Sequence, residues 1–240
     1  MLVLEGCVQP AIAPDINAAS AVVLDRMGIS LISVTGQTCC GAVSHHLSAT
    51  EEGLGFMRRN IDAWWPHVEA GAEAILSTAS ACALMIKEYG HLLADDDAYA
   101  QKAARISEMT RDLSQVLAAE DRSPLRSKGR QRVAVHSPCT LQHGQKLPRI
   151  VESILADAGF ELTPVPDPHL CCGSAGTYSI LQHELSTRLL ESKLAALEKG
   201  NPQVIATANI GCLSHLQSRA TRPVVHWIQL LAGADHGAGG

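Results

Sequence analysis

Eight cysteines fall in this chain as two copies of one arrangement: Cys7, then Cys39-Cys40, then Cys82, and again Cys139, then Cys171-Cys172, then Cys212. In each copy 31 residues separate the lone cysteine from the pair, and the pair is followed by glycine, Gly41 or Gly173. Such a repeat asks for two lobes of one architecture, each folding so that thiols from distant segments converge. Cysteine is often buried, and an even count can mean disulfides. Core burial alone does not place four cysteines twice at the same offsets. With no charged and apolar secretory leader at residue 1, a reducing compartment is expected, which argues against structural bridges. Four thiols per copy suit an iron-sulfur cluster, with zinc as the alternative.

At 240 residues the chain is long enough to bury a full core. A net charge of -5 and 3% aromatic residues leave little for phosphate neutralisation or base stacking, so nucleic acid is excluded as a partner. No apolar run reaches the roughly 20 residues of a transmembrane helix, and any membrane association is expected to be peripheral.

The pattern alternates short apolar runs with amphipathic stretches, as in an α/β layer with a mostly parallel sheet. In the first copy strands are expected over 2–5, 29–35 and 74–78, with helices over 16–27 and 52–70. The second copy repeats this with strands over 133–136, 160–165 and 204–208 and helices over 148–158 and 183–199. The fold class is therefore α/β, with two pseudo-symmetric lobes, each a small mostly parallel sheet flanked by helices. Each lone cysteine and each pair follows an expected strand, where the loops of open α/β sheets converge on ligands. The expected divisions are 1–95 for the first lobe, 96–132 for a connecting helix and linker, 133–231 for the second lobe and 232–240 for a flexible tail. Within the connector, Tyr99, Ala103, Ile106, Met109, Leu113, Val116 and Leu117 form one helical stripe over 96–120.

Among the neighbours of the cysteines, the small residues of Cys172-Gly173-Ser174-Ala175-Gly176 let main-chain amides approach sulfur. His45, His46, His136, His143, His169 and His215 are candidate ligands or proton relays, although each taken alone reads as an ordinary hydrogen-bonded or surface histidine. Lys87, in a segment that reads as an exposed helix end, or Lys146 is a candidate cationic edge for a partner or anionic substrate, although each taken alone reads as part of a solvated face. The sequence contains no G-x-G-x-x-G, no P-loop and no nucleophile elbow.

The doubled C-x31-C-C-G with a distant cysteine resembles the cysteine-rich CCG domain found in the iron-sulfur subunit of glycolate oxidase, in lactate-utilisation proteins and in heterodisulfide reductase. The segments from Cys82 to His91, His136 to His143, Leu170 to Gly176 and Asn209 to Cys212 are most similar to the glycolate oxidase subunit, and the resemblance covers about residues 1–231. It implies an electron-transfer component of a flavin-linked dehydrogenase that oxidises glycolate or a related 2-hydroxy acid, with flavin-containing partner subunits and a quinone-type acceptor. By position, Cys7, Cys39, Cys40 and Cys82 hold one cluster, and Cys139, Cys171, Cys172 and Cys212 another. Heterodisulfide reductase carries a fifth cysteine per site, where Ala79 and Asn209 stand here, so four ligands favour [4Fe-4S], one or two per chain, with zinc in one lobe as the alternative. The ferredoxin-like region of the glycolate oxidase subunit is not in this sequence, which implies a carboxy-terminal portion or a shorter relative. A cytoplasmic location is expected, peripheral to the inner membrane through a complex. Thiol or disulfide redox catalysis and a zinc-stapled docking module are the competing functions.

Overall fold

A computed structural model of the chain describes residues 1–125 and 131–233; part of the expected linker, 126–130, and most of the expected tail, 234–240, lie outside the described residues. The chain forms two four-stranded sheets in which every strand pair is parallel. The first has the order β2-β1-β3-β4, with β1 at Leu2–Leu4, β2 at Ile32–Ser33, β3 at Ile75–Ser77 and β4 at Thr110–Asp112. The second has the order β6-β5-β7-β8, with β5 at Arg132–His136, β6 at Glu161–Leu162, β7 at Val204–Thr207 and β8 at Val224–His226. In each lobe the first strand lies between the second and third, so the loops that leave these three strands emerge side by side at one sheet edge. Central strands of parallel sheets are covered on both faces and read as continuous apolar runs. Leu2, Val3 and Leu4 are all buried, as are Val204, Ile205 and Ala206.

Alternate residues of the sheets feed different cores. In the first lobe Leu2, Leu4 and Ile75 pack with Met57, Ile61 and Trp64 of the helix Thr50–Glu69. In the second, Ala134, Ile205 and Val224 pack with Leu190, Leu194 and Leu197 of the helix His183–Glu198. The opposite faces share one core between the lobes, where Leu76, Val133, Val135 and Ala206 meet Val23, Leu117, Ile154 and Trp227.

The sequence pattern misses the fourth strand of each sheet. The stripe expected as one helix over 96–120 is instead the helix Ala100–Met109, then β4, then the helix Leu113–Ala119. Helical spacing hid the break, because the apolar residues on either side keep the same period. What restarts the helix is a capping box: Asp112 accepts from the Ser114 amide, and Gln115 Oε1 accepts from the Asp112 amide. β8 restarts its helix, Trp227–Ala232, by the same device, with His226 and Gln229 in those roles.

These last helices cross over to the other lobe. Leu113–Ala119 packs on Ile150–Asp157, and Trp227–Ala232 packs on Asp15–Asp25. Arg26 donates to the Leu231 and Ala232 carbonyls at 3.0 and 2.9 Å, closing the end of the crossing helix. Arg122 pairs with Asp157 at 2.5 Å on the opposite side. Each lobe thus covers the inner face of the other, which ties the two cysteine-bearing edges into one body.

His226 is completely buried at this junction, with Nε2 2.9 Å from the Thr78 carbonyl of the first lobe. Burial lowers its pKa from 6.5 to about 4. Between these values the unfolded chain binds the proton and the folded one does not, so stability is complete above about pH 7 and falls as the pH drops, by about 3 kcal/mol in all. Urea denaturation at pH 7 and pH 4 is expected to show this loss in the parent protein and a smaller one in His226→Asn.

Candidate metal centres

The cysteine pair sits in the loop after the second strand of each lobe, held by a helix that runs behind it. Gly41 and Gly173 follow the pairs with φ of +85° and +90°, a left-handed conformation that glycine adopts without strain. A Cβ on Gly41 would stand 2.7 Å from the Gly53 carbonyl oxygen, and one on Gly173 2.5 Å from that of Ser186. This turn aims the glycine amide back at the first sulfur of the pair: Gly41 N–H donates to Cys39 Sγ at 3.5 Å, and Gly173 N–H to Cys171 Sγ at 3.3 Å.

The lone cysteine of each lobe follows its first strand, and the last cysteine lies in the first turn of a helix after the third: Cys82 in Ser80–Lys87 and Cys212 in Ile210–Gln217. The fold brings all eight into two groups of four. In the first, Cys39 is in hydrogen-bond contact with Cys40 and Cys7, and Cys40 also reaches Cys82. In the second, Cys171 contacts Cys139 and Cys172, and Cys172 reaches Cys212. Cys40, Cys172 and Cys212 are buried, whereas Cys7 opens to solvent.

Crowded thiols cannot all share charge equally. Hydrogen bonds from Cys40, Cys7 and the Gly41 amide pull Cys39 down from 9.0 to about 2, and those from Cys139, Cys172 and the Gly173 amide do the same for Cys171. Their neighbours Cys7, Cys40, Cys139 and Cys172 are pushed up, first by holding their protons against these sulfurs and then by burial. Cys212 is lowered, chiefly by Cys172, with His136 and Asn209 adding to it against its complete burial. Each group thus has a sulfur that ionises readily and is braced by a main-chain amide, the property a metal-binding thiol needs.

The supporting residues differ between lobes. In the first, Asn60 accepts from the Thr38 amide at 2.6 Å and donates to the Cys39 carbonyl at 2.8 Å, while Tyr89 donates to the Cys40 carbonyl at 2.8 Å. Tyr89 is fully buried, so the segment expected as an exposed helix end is in part a wall of the site. The second-lobe helix carries Lys193 at the position matching Asn60; it has no solvent exposure and donates to the Pro168 carbonyl at 2.9 Å. Burial lowers its pKa, and the four thiols beside it oppose that shift, Cys172 most strongly. The sequence reading missed Lys193, although its place on the apolar stripe of Leu190, Leu194 and Leu197 was a signal.

Where the lobes meet, the two groups approach each other. The Asn209 side chain accepts from the Ala81 amide, next to Cys82, at 3.3 Å and donates to Cys212 Sγ at 3.7 Å. Ser80 and Thr140 share a hydrogen bond of 2.8 Å, and Lys87 bonds Gln115 and Gln145 at 2.6 and 2.7 Å. Lys87 is therefore an internal strut and not the cationic edge suggested by sequence, while Lys146 is exposed. Of the six candidate histidines, His46, His143 and His169 are exposed, His45 is half-buried, and His215 bonds Ser186 at 3.0 Å. Only His136 of the six is placed by the structure against thiols, with its ring and the Cys172 and Cys212 sulfurs within 4.8 Å of one another.

Residues 1–87 and 133–217 match the cysteine-rich domain family known as CCG. The chain belongs to the CCG family. Both CCG domains begin at the first strand of a lobe and end on the last residue of the helix that carries its last cysteine. The glycolate oxidase iron-sulfur subunit of Escherichia coli is 52% identical over 234 residues, covering 98% of this chain and 58% of that subunit. Lactate utilization protein A of Bacillus licheniformis is 29% identical over 221 residues, covering 90% of each chain. This chain thus spans less than two thirds of the E. coli subunit. A crystal structure of a hypothetical protein from Helicobacter pylori superposes with a TM-score of 0.66 over 99% of this chain and 49% of that one, at 8% identity, and shows the same fold.

Gly41→Ala and Gly173→Ala are expected to lower stability in urea by about 1–3 kcal/mol each, from backbone strain and collision with the helix carbonyl. Gly55→Ala, in an ordinary helical position with nothing within 4 Å of its Cβ, is expected to lose none.

Proposed function

We propose that the chain is the iron-sulfur electron-transfer part of a flavin-linked 2-hydroxy acid dehydrogenase of the glycolate type, relaying electrons from a flavin-containing subunit toward a quinone-type acceptor. The observation that carries this reading is the pair of four-thiol groups at equivalent sheet edges of a CCG chain 52% identical to a glycolate oxidase iron-sulfur subunit. The donor set fits the group. Four soft sulfurs linked in a run of neighbouring contacts, one of them lowered to about 2 in each lobe, suit iron. Cys7, Cys39, Cys40 and Cys82 would hold one [4Fe-4S] cluster, and Cys139, Cys171, Cys172 and Cys212 a second. Such clusters supply one-electron transfer.

The chain's own residues set the conditions for that transfer. The Gly41 and Gly173 amides each place a hydrogen bond on a ligand sulfur, which stabilises negative charge there. Asn209 spans from the Cys82 helix to the Cys212 sulfur and holds the two groups in register. Where heterodisulfide reductase has a fifth cysteine, this asparagine serves a sulfur by hydrogen bonding, which favours electron relay over disulfide chemistry.

Exposed apolar side chains near the cysteine loops favour docking of other subunits: Val8 and Ile12 beyond Cys7, Val43 and Leu47 beyond Cys40, and Ile180 and Leu181 beyond Cys172. A ferredoxin-like region or subunit and the flavin-containing subunits are the proposed partners. Among the described residues no helix is long and apolar enough to cross a membrane, so the proposed cytoplasmic complex would meet the membrane peripherally.

Visible absorbance of the anaerobic protein is expected to bleach on adding glycolate together with a flavin-containing hydroxy acid dehydrogenase subunit, and not with glycolate alone. The double variants Cys39→Ser/Cys40→Ser and Cys171→Ser/Cys172→Ser are each expected to lose about half of that absorbance. Absorbance that stays unchanged with the flavin subunit reduced would contradict the relay.

A further inference from the structure

His136 ends β5, three residues before Cys139; the residue three before Cys7 is Leu4, which ends β1. The same place in the two lobes is therefore an imidazole in one and an aliphatic side chain in the other. His136 is 1% exposed, and among the described residues its ring nitrogens have no hydrogen-bond partner other than the Cys212 thiol. Leaving a buried polar atom unpaired costs about 1–3 kcal/mol. His226, by contrast, is bonded through both nitrogens to Thr78 and Ile228, and His215 is bonded to Ser186, while the half-buried His45 of the first lobe also has an unpartnered Nδ1. What His136 faces instead is sulfur, with a ring nitrogen and the Cys172 and Cys212 thiols within 4.8 Å of one another.

We propose that His136 gives an imidazole nitrogen donor to the metal centre of the second lobe, which makes that centre a mixed thiolate and imidazole site while the first is thiolate only. The proposal rests on the iron-sulfur reading above. It accounts for a buried histidine whose ring meets only sulfur and for its presence in one lobe where the other carries leucine.

The test is pulsed EPR of the reduced protein in the Cys39→Ser/Cys40→Ser background, which lacks the first centre, prepared with 14N- and 15N-histidine. The expected result is a nitrogen coupling of directly bound imidazole that changes with the isotope and disappears in His136→Leu, the residue the first lobe carries. His136→Cys is expected to keep the iron and lose the coupling. A reduced cluster with no histidine coupling, or a coupling that survives in His136→Leu, would overturn the assignment while leaving the iron-sulfur reading intact. Protein containing zinc or no iron on metal analysis would overturn that reading and the assignment with it.

Discussion

The left-handed glycine after each cysteine pair is the constraint on which the sites depend. It turns the chain back so that its own amide meets the first sulfur, and it lets the loop lie against the carbonyls of the helix behind. A side chain at this position would push the pair away from that helix, and with it away from the lone cysteine and the helix-borne one. Parallel strand order supplies the rest, because three neighbouring strands end at one edge and each contributes sulfur.

The two lobes are stabilised together. Their final helices cross to cover each other's sheets, and the shared core includes residues from both. Packing of this kind resists relative motion. The polar contacts of Asn209, Ser80, Thr140 and Lys87 lie at the same junction, so the segments that carry Cys82, Cys139 and Cys212 are fixed by it. A relay between two centres needs such fixed spacing.

Much of this was legible in the sequence. The cysteine repeat and the alternation of apolar runs give two lobes, the central strands and the long helices at close to their observed limits. β4 was hidden because Met109 and Leu113 continue one helical period across it. β8 was missed because it is only three residues long and runs directly into the helix Trp227–Ala232. The crossing of the last helices depends on tertiary packing that no local pattern carries. At the sites, the eight thiols were evident, but His136 was one of six equivalent candidates until its burial against the Cys172 and Cys212 sulfurs separated it from the others. Lys193 went unnoticed because lysine on a helix is ordinarily a solvated residue.

Iron, zinc and acid-labile sulfide per chain in anaerobically purified protein test the central claim most directly. Two four-thiol centres of iron-sulfur type predict about eight irons with matching sulfide. Zinc without sulfide would contradict the account and turn the same cysteines into a structural scaffold.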